Sequence, residues 1–347
     1  PPTLHVGIWL CSMENLVTPS YTNLSGLNVL VTGGTGVIGS WLLKRLVDMQ
    51  INTNVLLWDD YKNPELEKHN TLKKTTNIHG TLTDINLIKS ILKDHDINLI
   101  YHLGAQAIVE TAFKDPLTTF ESNVRGTYTL LEACRSYGDQ IKGIVVASSD
   151  KAYGTHKDLP YTENTSLNGI YPYEVSKSCT DLLARSYALT YDMPISIARC
   201  GNVYGGGDLN WNRIIPGTIL ELFNQRTPII RSDGTHLRDY IYVEDIVDAY
   251  ITLSSATISG ITPGQAFNFG NNNPISVLDL VNTISLHMEQ THLTPLIKNQ
   301  AKGEIHSQYL NSSKAKQILN WGPKYSLSEG LQQTIKWYVD YLGNTNV

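Results

Sequence analysis

Short apolar runs alternate with amphipathic stretches from Leu27 onward. Continuous apolar runs of this length are typical of parallel strands that are buried on both faces, and the stretches between them repeat with the period of a helix. The predicted strands are Asn28–Thr32, Asn54–Trp58, Asn98–Leu103, Gly143–Ser148 and Ile195–Arg199, and the predicted helices are Ile38–Met49, Asp84–Asp94, Phe120–Tyr137 and Pro172–Tyr191. Because strands and helices alternate, the pattern predicts an α/β fold with a doubly wound parallel sheet.

The regular alternation of predicted strands and helices ends after Asn202. The later segments predict a loop at Tyr204–Asp208, a strand at Arg238–Val243 and helices at Ile214–Asn224, Ser276–Met288, Ser313–Leu319 and Ser328–Leu342. We therefore expect a smaller C-terminal lobe above the carboxyl ends of the strands, where open α/β sheets bind ligands. The predicted division is an N-terminal extension (1–26), a sheet domain (27–201 with about 236–272) and a substrate-binding lobe (about 202–235 with 273–347).

Composition narrows the class of protein. The 347 residues carry a net charge of −5, with 41% hydrophobic and 17% charged residues, which suits a globular enzyme. No basic stripe is present to neutralise phosphates, so we expect no nucleic-acid partner. No apolar run reaches the roughly 18 residues of a membrane helix, so we expect no membrane partner. Residues 1–12 lack the basic flank of a signal peptide, and we interpret them as a leader before a native start at Met13.

Cysteine and histidine spacing gives no sign of a metal site. Cys11, Cys134, Cys179 and Cys200 are scattered without a CxxC pair, and the ten histidines show no HExxH motif. The last three cysteines fall in helical or apolar patterns, which favours buried free thiols and a reducing, cytoplasmic location. We interpret His102, at the end of a predicted strand, as a core histidine whose hydrogen bonds are satisfied.

Three glycines follow the first predicted strand and open the first predicted helix, within Val31-Thr-Gly-Gly-Thr-Gly-Val-Ile-Gly39. Gly33 allows a tight turn, Gly36 lets the backbone approach a diphosphate, and Gly39 lets helix and strand pack closely. In this strand–turn–helix context the spacing predicts a Rossmann-type dinucleotide site; without the context it would indicate only a glycine-rich turn.

An acidic residue ends the second predicted strand. Asp59 follows Gly39 by 20 residues. A carboxylate there accepts hydrogen bonds from a ribose diol and repels a 2′-phosphate, which favours NAD over NADP. The neighbouring Asp60 is the alternative for this role, and either acid could instead be a solvated loop residue.

Hydroxyl, carboxyl and amine groups follow the fourth predicted strand, at Ser149, Asp150 and Lys151. Further along, Tyr173 and Lys177 lie four residues apart on one face of a predicted helix. An ammonium group beside a phenol is expected to lower the phenol pKa, which would make Tyr173 a base near neutral pH. The Y-x-x-x-K spacing alone is common, but after Ser149 it indicates hydride transfer with a bound nicotinamide.

Together these motifs resemble those of the extended short-chain dehydrogenase/reductases that act on nucleotide sugars. The resemblance covers roughly residues 27–342, and it also rests on Tyr101-His-Leu-Gly-Ala-Gln106, Asn123-Val-Arg-Gly-Thr127, Arg199-Cys-Gly-Asn-Val-Tyr-Gly205 and Arg238-Asp-Tyr-Ile-Tyr-Val-Glu-Asp245. In this family 4,6-dehydratases carry an acid pair after the catalytic hydroxyl, whereas 4-epimerases carry small hydroxyl residues. The Asp150-Lys151 pair is similar to that of CDP-glucose 4,6-dehydratases and of inverting UDP-N-acetylglucosamine 4,6-dehydratases. Asn202–Asp208, Arg213–Pro216 and Ser313–Trp321 favour the CDP-glucose group.

The resemblance implies the site residues and the assembly. It implies NAD contacts from Gly33, Thr35, Gly36, Val37, Ile38, Gly39, Asp59, Leu82, Leu103, Ala105, Tyr173 and Lys177. The substrate diphosphate is expected to meet Asn202, Arg213 and Arg238, because guanidinium groups suit phosphate oxygens. Structural salt bridges to Asp239 or Glu244 are the alternative for the arginines. Relatives pair two long helices, here Phe120–Tyr137 and Pro172–Tyr191, so a homodimer is expected.

Two positions depart from the family pattern. Relatives carry Gly-Asp before the third helix, where the Asp contacts adenine, but this chain has Gly80-Thr81-Leu82. Lys151 occupies the place of a Glu that removes the carbon 5 proton in the acid-pair enzymes. It could act as that base if its pKa were depressed, or it could instead pair with a substrate phosphate or carboxylate.

The resemblance predicts an NAD-dependent nucleotide-sugar 4,6-dehydratase, with CDP-glucose the first substrate to consider. Tyr173 would take the proton of the 4-hydroxyl as hydride leaves carbon 4, with Ser149 bound to the same oxygen. Asp150 would then protonate the departing 6-hydroxyl, and hydride would return to carbon 6. The alternative is a 4-epimerase, which needs Ser149, Tyr173 and Lys177 but has no use for Asp150. A non-catalytic NAD-binding protein is a third possibility, disfavoured by the full Ser/Tyr/Lys set.

Overall fold

The computed structural model describes residues 24–61, 63–300 and 305–344. The strands are β1 (Asn28–Thr32), β2 (Asn52–Leu57), β3 (Thr76–His79), β4 (Leu99–His102), β5 (Gly143–Ser149), β6 (Ile195–Cys200), β7 (Asn202–Tyr204), β8 (Ile229–Ile230), β9 (Leu237–Arg238), β10 (Tyr240–Tyr242), β11 (Ala266–Phe269), β12 (Ile275–Ser276), β13 (Leu296–Ile297) and β14 (Ser307–Gln308). The leader and Met13 lie outside these ranges, so their interpretation stays a prediction.

Helices separate most of the strands. They are α1 (Val37–Asp48), α2 (Pro64–Lys68), α3 (Ile85–Asp94), α4 (Val109–Lys114), α5 (Pro116–Phe120), α6 (Gly126–Tyr137), α7 (Pro172–Tyr191), α8 (Ile214–Phe223), α9 (Val243–Ile258), α10 (Val277–His287), α11 (Ser313–Leu319) and α12 (Leu327–Asn344). A π-helical turn, Glu121–Arg125, joins α5 to α6, so the predicted helix over Phe120–Tyr137 is interrupted near its start. Among the described residues, none of the helices combines the length and apolar character needed to cross a bilayer.

The main sheet confirms the predicted doubly wound α/β fold. Its strand order is β11-β6-β5-β4-β1-β2-β3, and every neighbouring pair is parallel. The order reverses at β1, between β2 and β4. Ligands of open α/β sheets bind outside the carboxyl ends of the strands at such a reversal. The topology therefore places the glycine turn, which follows β1, at the expected site.

Each face of the sheet is covered by an apolar layer. On one face α1 and α9 pack against the strands through Leu42, Leu46, Val247 and Ile251, all of them buried. On the other face α3, α6 and α7 form a second buried cluster. Since both faces are covered, the central strands are continuous apolar runs, which is why the sequence pattern identified them.

The strand predicted over Arg238–Val243 is confirmed in part: β9 and β10 cover most of the segment, but they are separated at Asp239, and Val243 begins α9. The carboxylate of Asp239 accepts hydrogen bonds from the backbone amides of Asn271 (2.9 Å) and Asn272 (3.3 Å), which holds the bend. Helix α9 is buried around nearly its whole circumference, so it lacks the polar stripe that predicts an amphipathic helix.

A second apolar core forms above the carboxyl ends of the strands. Helices α8, α10 and α12 pack together beside β7 and β10, with Ile219, Leu280, Leu331 and Trp337 buried among them. Strand β9 pairs antiparallel with β12 and parallel with β14, so this small sheet brings residues near 238, 275 and 308 side by side. The exact division into a sheet domain and a substrate lobe stays a prediction.

The described cysteines are free thiols. Cys134 and Cys200 are buried, as predicted. Cys179 is only half-buried, so the predicted burial is wrong for this residue, which lies on the outward side of α7. Cys11 lies outside the described residues.

Candidate active site

The turn after β1 is shaped by two glycines that tolerate no side chain. Gly33 has φ +72°, and a Cβ atom there would lie 2.6 Å from the amide nitrogen of Gly104. A Cβ atom on Gly39 would lie 2.1 Å from the carbonyl oxygen of Gly33. The carbonyl of Gly33 also accepts a hydrogen bond from the amide of Gly36 (3.1 Å), which closes the turn. The roles predicted for Gly33 and Gly39, a tight turn and close helix packing, agree with this geometry.

The amino end of α1 has the properties of an anion site. Gly36 caps the helix without a side-chain hydrogen bond, and the first turn holds no acidic residue. A Cβ atom on Gly36 would meet only the Gly33 carbonyl oxygen, at 3.4 Å, so the protein leaves the space above this position open. Amides at a helix start lack intrahelical partners and carry partial positive charge. Thr35, Val37 and Ile38 flank this cradle, which fits a dinucleotide diphosphate.

The acids after β2 are both at the protein surface. Asp59 is exposed and accepts a hydrogen bond from the backbone amide of Tyr61 (3.1 Å). Asp60 is almost fully exposed, with its carboxylate 3.8 Å from the ring of His79. Because β2 lies beside β1, the end of this strand is next to the glycine turn. The structure therefore places Asp59 where a ribose could reach it, and its preference over Asp60 stays a prediction.

The edge between β1 and β4 carries the remaining predicted cofactor residues. The backbone amide of Leu103 donates to the carbonyl of Thr32 (3.1 Å), which fixes the chain that leads to Ala105. Leu82 packs over Gly104, where an added Cβ atom would lie 2.7 Å from its side chain. An apolar Leu82 at this place offers no hydrogen bond to adenine, so its contact with the base would be by packing alone.

His102 is a satisfied core histidine, as predicted. Its Nδ1 lies 2.9 Å from the hydroxyl of Thr32, and its Nε2 lies 3.0 Å from the hydroxyl of Thr127. Burial, together with the nearby charge of Lys177, lowers the pKa of His102 to about 3, so the ring is neutral. Among the described residues, no cluster of three or more His, Cys, Asp or Glu side chains is placed to hold a metal ion.

A short 3-10 turn, Asp150–Tyr153, follows β5 and presents the first catalytic candidates. Ser149 caps this turn: its hydroxyl accepts from the amide of Lys151 (3.2 Å) and donates to Oδ1 of Asp150 (3.1 Å). Asp150 is 1% exposed, and its Oδ2 has no hydrogen-bond partner among the described residues. Burial raises the pKa of Asp150, while the nearby charges of Lys151 and Arg238 oppose the rise.

Tyr173 and Lys177 lie on the first turns of α7. Pro172 is the first residue of this helix, and Glu174 accepts from the amides of Ile170 (3.0 Å) and Tyr171 (3.3 Å), which fixes the helix start. Both candidate side chains are buried, and Ser149 lies close enough to the phenol of Tyr173 to be among the groups that lower its pKa. The structure thus brings Ser149, Tyr173 and Lys177, which come from two separate segments, close together.

The predicted effect of Lys177 on Tyr173 is wrong in this structure. Burial raises the pKa of Tyr173 to about 12, and the groups that oppose this rise are Arg213 and Ser149. The ammonium group of Lys177 instead donates to the carbonyl oxygen of Ala147 (3.0 Å), and burial lowers its pKa to about 8. Burial removes the water that would stabilise the phenolate. This effect on the pKa of Tyr173 is larger than the stabilisation from a cation that is held by a backbone carbonyl.

The predicted substrate residues lie around the same pocket. Asn202 binds the carbonyl of Asp239 through its backbone amide (2.8 Å), and its buried Nδ2 has no partner among the described residues. Arg213 forms a salt bridge with Asp208 (2.8 Å), a partner that the sequence did not suggest. Its positive charge also opposes the rise in the pKa of Tyr173. Arg238 donates to the carbonyl of His306 (3.0 Å) and lies among the charges that act on Asp150.

Among the ion pairs of the described residues, neither Glu244 nor Asp239 is joined to Arg213 or Arg238. Glu244 lies 3.7 Å from Arg45, and Asp239 accepts backbone amides. Arg213 therefore does form a salt bridge, as the alternative predicted, but its partner is Asp208 and not Asp239 or Glu244.

A buried polar network supports the catalytic turn from behind. Arg199 forms a bidentate ion pair with Asp181 (2.7 and 2.8 Å) and donates to the hydroxyl of Tyr153 (2.9 Å). The same hydroxyl donates to the side chain of Asn268 (2.7 Å). Because Tyr153 ends the 3-10 turn that carries Asp150, the network holds the candidate acid in place.

One residue of the pocket was missed by the sequence analysis. Gln308, on β14, is fully buried and accepts a hydrogen bond from the ammonium group of Lys151. It lies 157 residues after Lys151 and belongs to no motif, so no sequence signal could have linked the two.

Comparison with known proteins agrees with this site. A family model described as GDP-mannose 4,6 dehydratase matches residues 30–334. The dTDP-glucose 4,6-dehydratase of Escherichia coli is 30% identical, over 90% of this chain and 94% of that protein. The CDP-glucose 4,6-dehydratase of Salmonella typhimurium is 28% identical, over 90% of each.

Solved structures show the same architecture. A dTDP-glucose 4,6-dehydratase from Streptomyces venezuelae with NAD bound has a TM-score of 0.83 at 25% identity, covering 91% of this chain and 98% of its own. A UDP-glucose 4-epimerase from Thermotoga maritima has a TM-score of 0.82 at 27% identity, covering 91% and 100%. The fold is thus shared by both reaction types, and a UDP-glucuronate 4-epimerase of Arabidopsis thaliana is also 29% identical, over 91% of this chain and 76% of that protein. The family model and the two curated relatives above agree with the predicted dehydratase class, and the bound NAD of the solved dehydratase agrees with the predicted cofactor. The chain belongs to the GDP-mannose 4,6-dehydratase family, in the nucleotide-sugar 4,6-dehydratase branch of the extended short-chain dehydrogenase/reductases.

Proposed function

We propose that this protein is an NAD-dependent 4,6-dehydratase that converts a nucleoside-diphosphate hexose to its 4-keto-6-deoxy form. The observation that carries the proposal is the buried carboxyl group of Asp150 near Ser149 and Tyr173, with one oxygen that has no hydrogen-bond partner in the described part of the chain. Burial raises its pKa, which keeps a proton on the carboxyl group to higher pH. A dehydratase needs such an acid to release the 6-hydroxyl as water, whereas a 4-epimerase does not.

The residues present fit the cofactor. Gly36 leaves open space over the uncapped start of α1, and Asp59 stands beside it at the end of β2. NAD⁺, when bound, supplies the acceptor for the hydride of carbon 4 and its return to carbon 6. Tyr173 would accept the proton of the 4-hydroxyl, which requires the positive charge of bound NAD⁺ to offset the rise that burial gives to the phenol pKa. Ser149 would hold the same oxygen by a hydrogen bond, and Lys177, which donates to the carbonyl of Ala147, would also hold the nicotinamide ribose.

The elimination step falls to the turn after β5. Oxidation at carbon 4 acidifies the hydrogen on carbon 5, a base removes it, and Asp150 protonates the 6-hydroxyl as it leaves. Lys151 has its ammonium group on the carbonyl oxygen of Gln308, so it is held in the pocket rather than in solvent. We propose that Lys151, in its neutral amine form, removes the carbon 5 proton and returns it to carbon 5 as hydride returns to carbon 6, with a contact to a substrate phosphate or carboxylate as the alternative.

The substrate diphosphate is proposed to bind Asn202, Arg213 and Arg238. The buried Nδ2 of Asn202, which meets no acceptor within the described ranges, supports this assignment, because an amide donor away from water costs free energy unless it finds an acceptor. CDP-glucose is the first substrate to test, and dTDP-glucose is the second.

The experiment is incubation of the purified protein with CDP-, dTDP-, UDP- and GDP-hexoses, including UDP-N-acetylglucosamine, followed by mass spectrometry. Loss of one water (~18 mass units) from one sugar, without net consumption of NAD, is the expected result. An isobaric product that separates by chromatography would instead identify a 4-epimerase and contradict the proposal. The matched variant Tyr173→Phe removes only the phenol oxygen and should abolish either reaction, whereas a non-catalytic NAD-binding protein would be indifferent to it.

We further propose a homodimer formed by α6 and α7. These helices share an apolar surface that is partly exposed, lined by Val124, Tyr128, Cys179, Leu182 and Leu183. Leu182 and Leu189 on α7 are more than half exposed, which favours a partner over solvent. Light scattering should give a dimer at micromolar concentration, and Leu182→Glu should yield monomers. A wild-type monomer would contradict the proposal.

A cytoplasmic location is also proposed, because the described cysteines, Cys134, Cys179 and Cys200, are free thiols.

A further inference from the structure

Gln308 is buried in the catalytic pocket without a role in the chemistry described above. It lies on β14, which pairs in parallel with β9, and its register partner is Arg238. Paired residues on neighbouring strands project to the same face of the sheet. Gln308 therefore lies between a proposed diphosphate ligand and Lys151, although it is remote from both in the sequence.

The two ends of the Gln308 amide have different surroundings. Oε1 accepts a hydrogen bond from the ammonium group of Lys151. Nε2 is buried and has no hydrogen-bond partner among the described residues. The opposite orientation would point an NH₂ group at an ammonium group, donor against donor, so the observed orientation follows from the neighbour.

A buried amide donor without an acceptor is costly, so such a group in a native protein calls for an explanation, such as a functional role or a bound water or ion. The neighbours of Gln308 are Lys151, which is proposed to act at carbon 5 of the sugar, and Arg238, which is proposed to bind the diphosphate. A hexose bound in this pocket presents hydroxyl oxygens that accept hydrogen bonds, and the diphosphate already has Arg213, Arg238 and Asn202 as donors. The hexose is therefore the acceptor that this donor fits.

We propose that Gln308 binds the hexose of the substrate through Nε2 and, through Oε1, positions Lys151 at carbon 5. This inference rests on the proposed dehydratase function only for the second role, since the sugar contact requires no particular reaction. Gln308 acts on the elimination step through Lys151 and is thus a positioning residue there. The oxidation at carbon 4, which uses Ser149 and Tyr173, does not depend on it.

The first test separates sugar binding from chemistry. Titration of wild type and Gln308→Leu with CDP-glucose and with CDP, or with dTDP-glucose and dTDP, measures what the hexose adds to affinity. We expect the Kd of the nucleotide sugar to rise about 10-fold or more, as for one lost buried hydrogen bond, with the Kd of the free nucleotide changed less than about 2-fold. An equal rise for both ligands, or no rise for either, would overturn the sugar contact.

The second test follows the two chemical steps in a single turnover. Absorbance at about 340 nm reports reduced NAD formed by oxidation at carbon 4, and mass spectrometry reports water loss. In Gln308→Leu we expect oxidation within about 3-fold of wild type and elimination slowed about 10- to 100-fold. Equal slowing of both steps would show a general structural effect and refute the positioning role.

A second variant guards against a folding defect. Gln308→Glu keeps an oxygen for Lys151 but removes the NH₂ donor, so it should weaken sugar binding as Gln308→Leu does while slowing elimination less. If elimination is slowed equally in both variants, the positioning role is refuted, and the titrations alone decide whether Gln308 contacts the sugar. If wild type binds a nucleotide sugar but releases no water, the dehydratase proposal fails, and the titration still decides whether Gln308 contacts the sugar.

Discussion

The ammonium group of Lys177 donates to the backbone carbonyl of Ala147 at 3.0 Å, inside a pocket where the lysine is only 6% exposed. Ala147 belongs to β5 and Lys177 to α7, so this hydrogen bond joins the helix to the strand whose end carries Ser149. One carbonyl does not replace the water lost by a buried cation, and burial lowers the pKa of Lys177 to about 8. The enzyme therefore keeps a charged group where it reduces stability.

Lys177→Met should make the protein more stable and inactive. At pH 7 the variant avoids the burial of a cation and loses one hydrogen bond to Ala147, so we expect the free energy of unfolding to rise by about 1–3 kcal/mol. Urea unfolding of nucleotide-free protein measures this change. A loss of stability at pH 7 would contradict the origin of the low pKa.

The same substitution predicts a pH dependence. Below about pH 8 Lys177 is charged in both the folded and the unfolded protein, so the full cost of burial is present. Between about pH 8 and its usual pKa, the folded lysine is neutral while the unfolded one still binds a proton, and wild-type stability rises. The advantage of Lys177→Met should therefore shrink from pH 7 to pH 9.5. An advantage that grows with pH would contradict the assignment.

Asp150→Asn should separate oxidation from elimination. Asparagine has the same shape but no acid proton, so reduced NAD should still form while water loss slows by about 10²–10⁴-fold. Single-turnover absorbance and mass spectrometry measure the two steps. Because the acid form of Asp150 is the active one, the wild-type elimination rate should also fall as pH rises through its raised pKa. Unchanged water loss in the variant would assign the acid role to another group.

Gly39→Ala should lower the stability of the protein, whereas Gly36→Ala should weaken the binding of NAD. Gly39→Ala forces a Cβ atom to within 2.1 Å of the Gly33 carbonyl, so we expect a loss of about 1–3 kcal/mol in stability. Gly36→Ala meets only the Gly33 carbonyl, at 3.4 Å, so the protein should fold normally but bind NAD at least about 10-fold more weakly. Thermal melting and NAD titration measure both effects. Gly322→Ala, where a Cβ atom meets nothing within 4 Å, is the control, and normal NAD binding by Gly36→Ala would disprove the cradle.

The buried ion pair behind the site should be far more sensitive than a surface pair. Asp181→Asn leaves the guanidinium of Arg199 buried without its counter-charge, and we expect a loss of about 3–5 kcal/mol in the free energy of unfolding. The control Glu132→Gln breaks the exposed pair with Arg135 and should cost less than about 1 kcal/mol. Urea unfolding of the two variants compares them directly; similar losses would mean that Arg199 finds another partner.

The sheet was predictable because each buried strand is an apolar run of its own. Strand β3, Thr76–His79, was missed because it is a mostly polar edge strand with little buried surface. Strand β11, Ala266–Phe269, is short and lies at the other edge, so it gave no separate pattern. Helix α9 was missed for the opposite reason, since a helix that is buried all round has no polar face to mark its period.

By itself the sequence determined the glycine turn, the Ser149, Tyr173 and Lys177 set, and the family, because each of these rests on short motifs whose spacing and order are visible along the chain. Only the tertiary structure decided the pKa of each side chain in the site and which residues it contacts. The high pKa of Tyr173 follows from burial, and the contact between Lys151 and Gln308 spans 157 residues. Burial and long-range contacts arise only when distant segments pack together, so no local pattern records them.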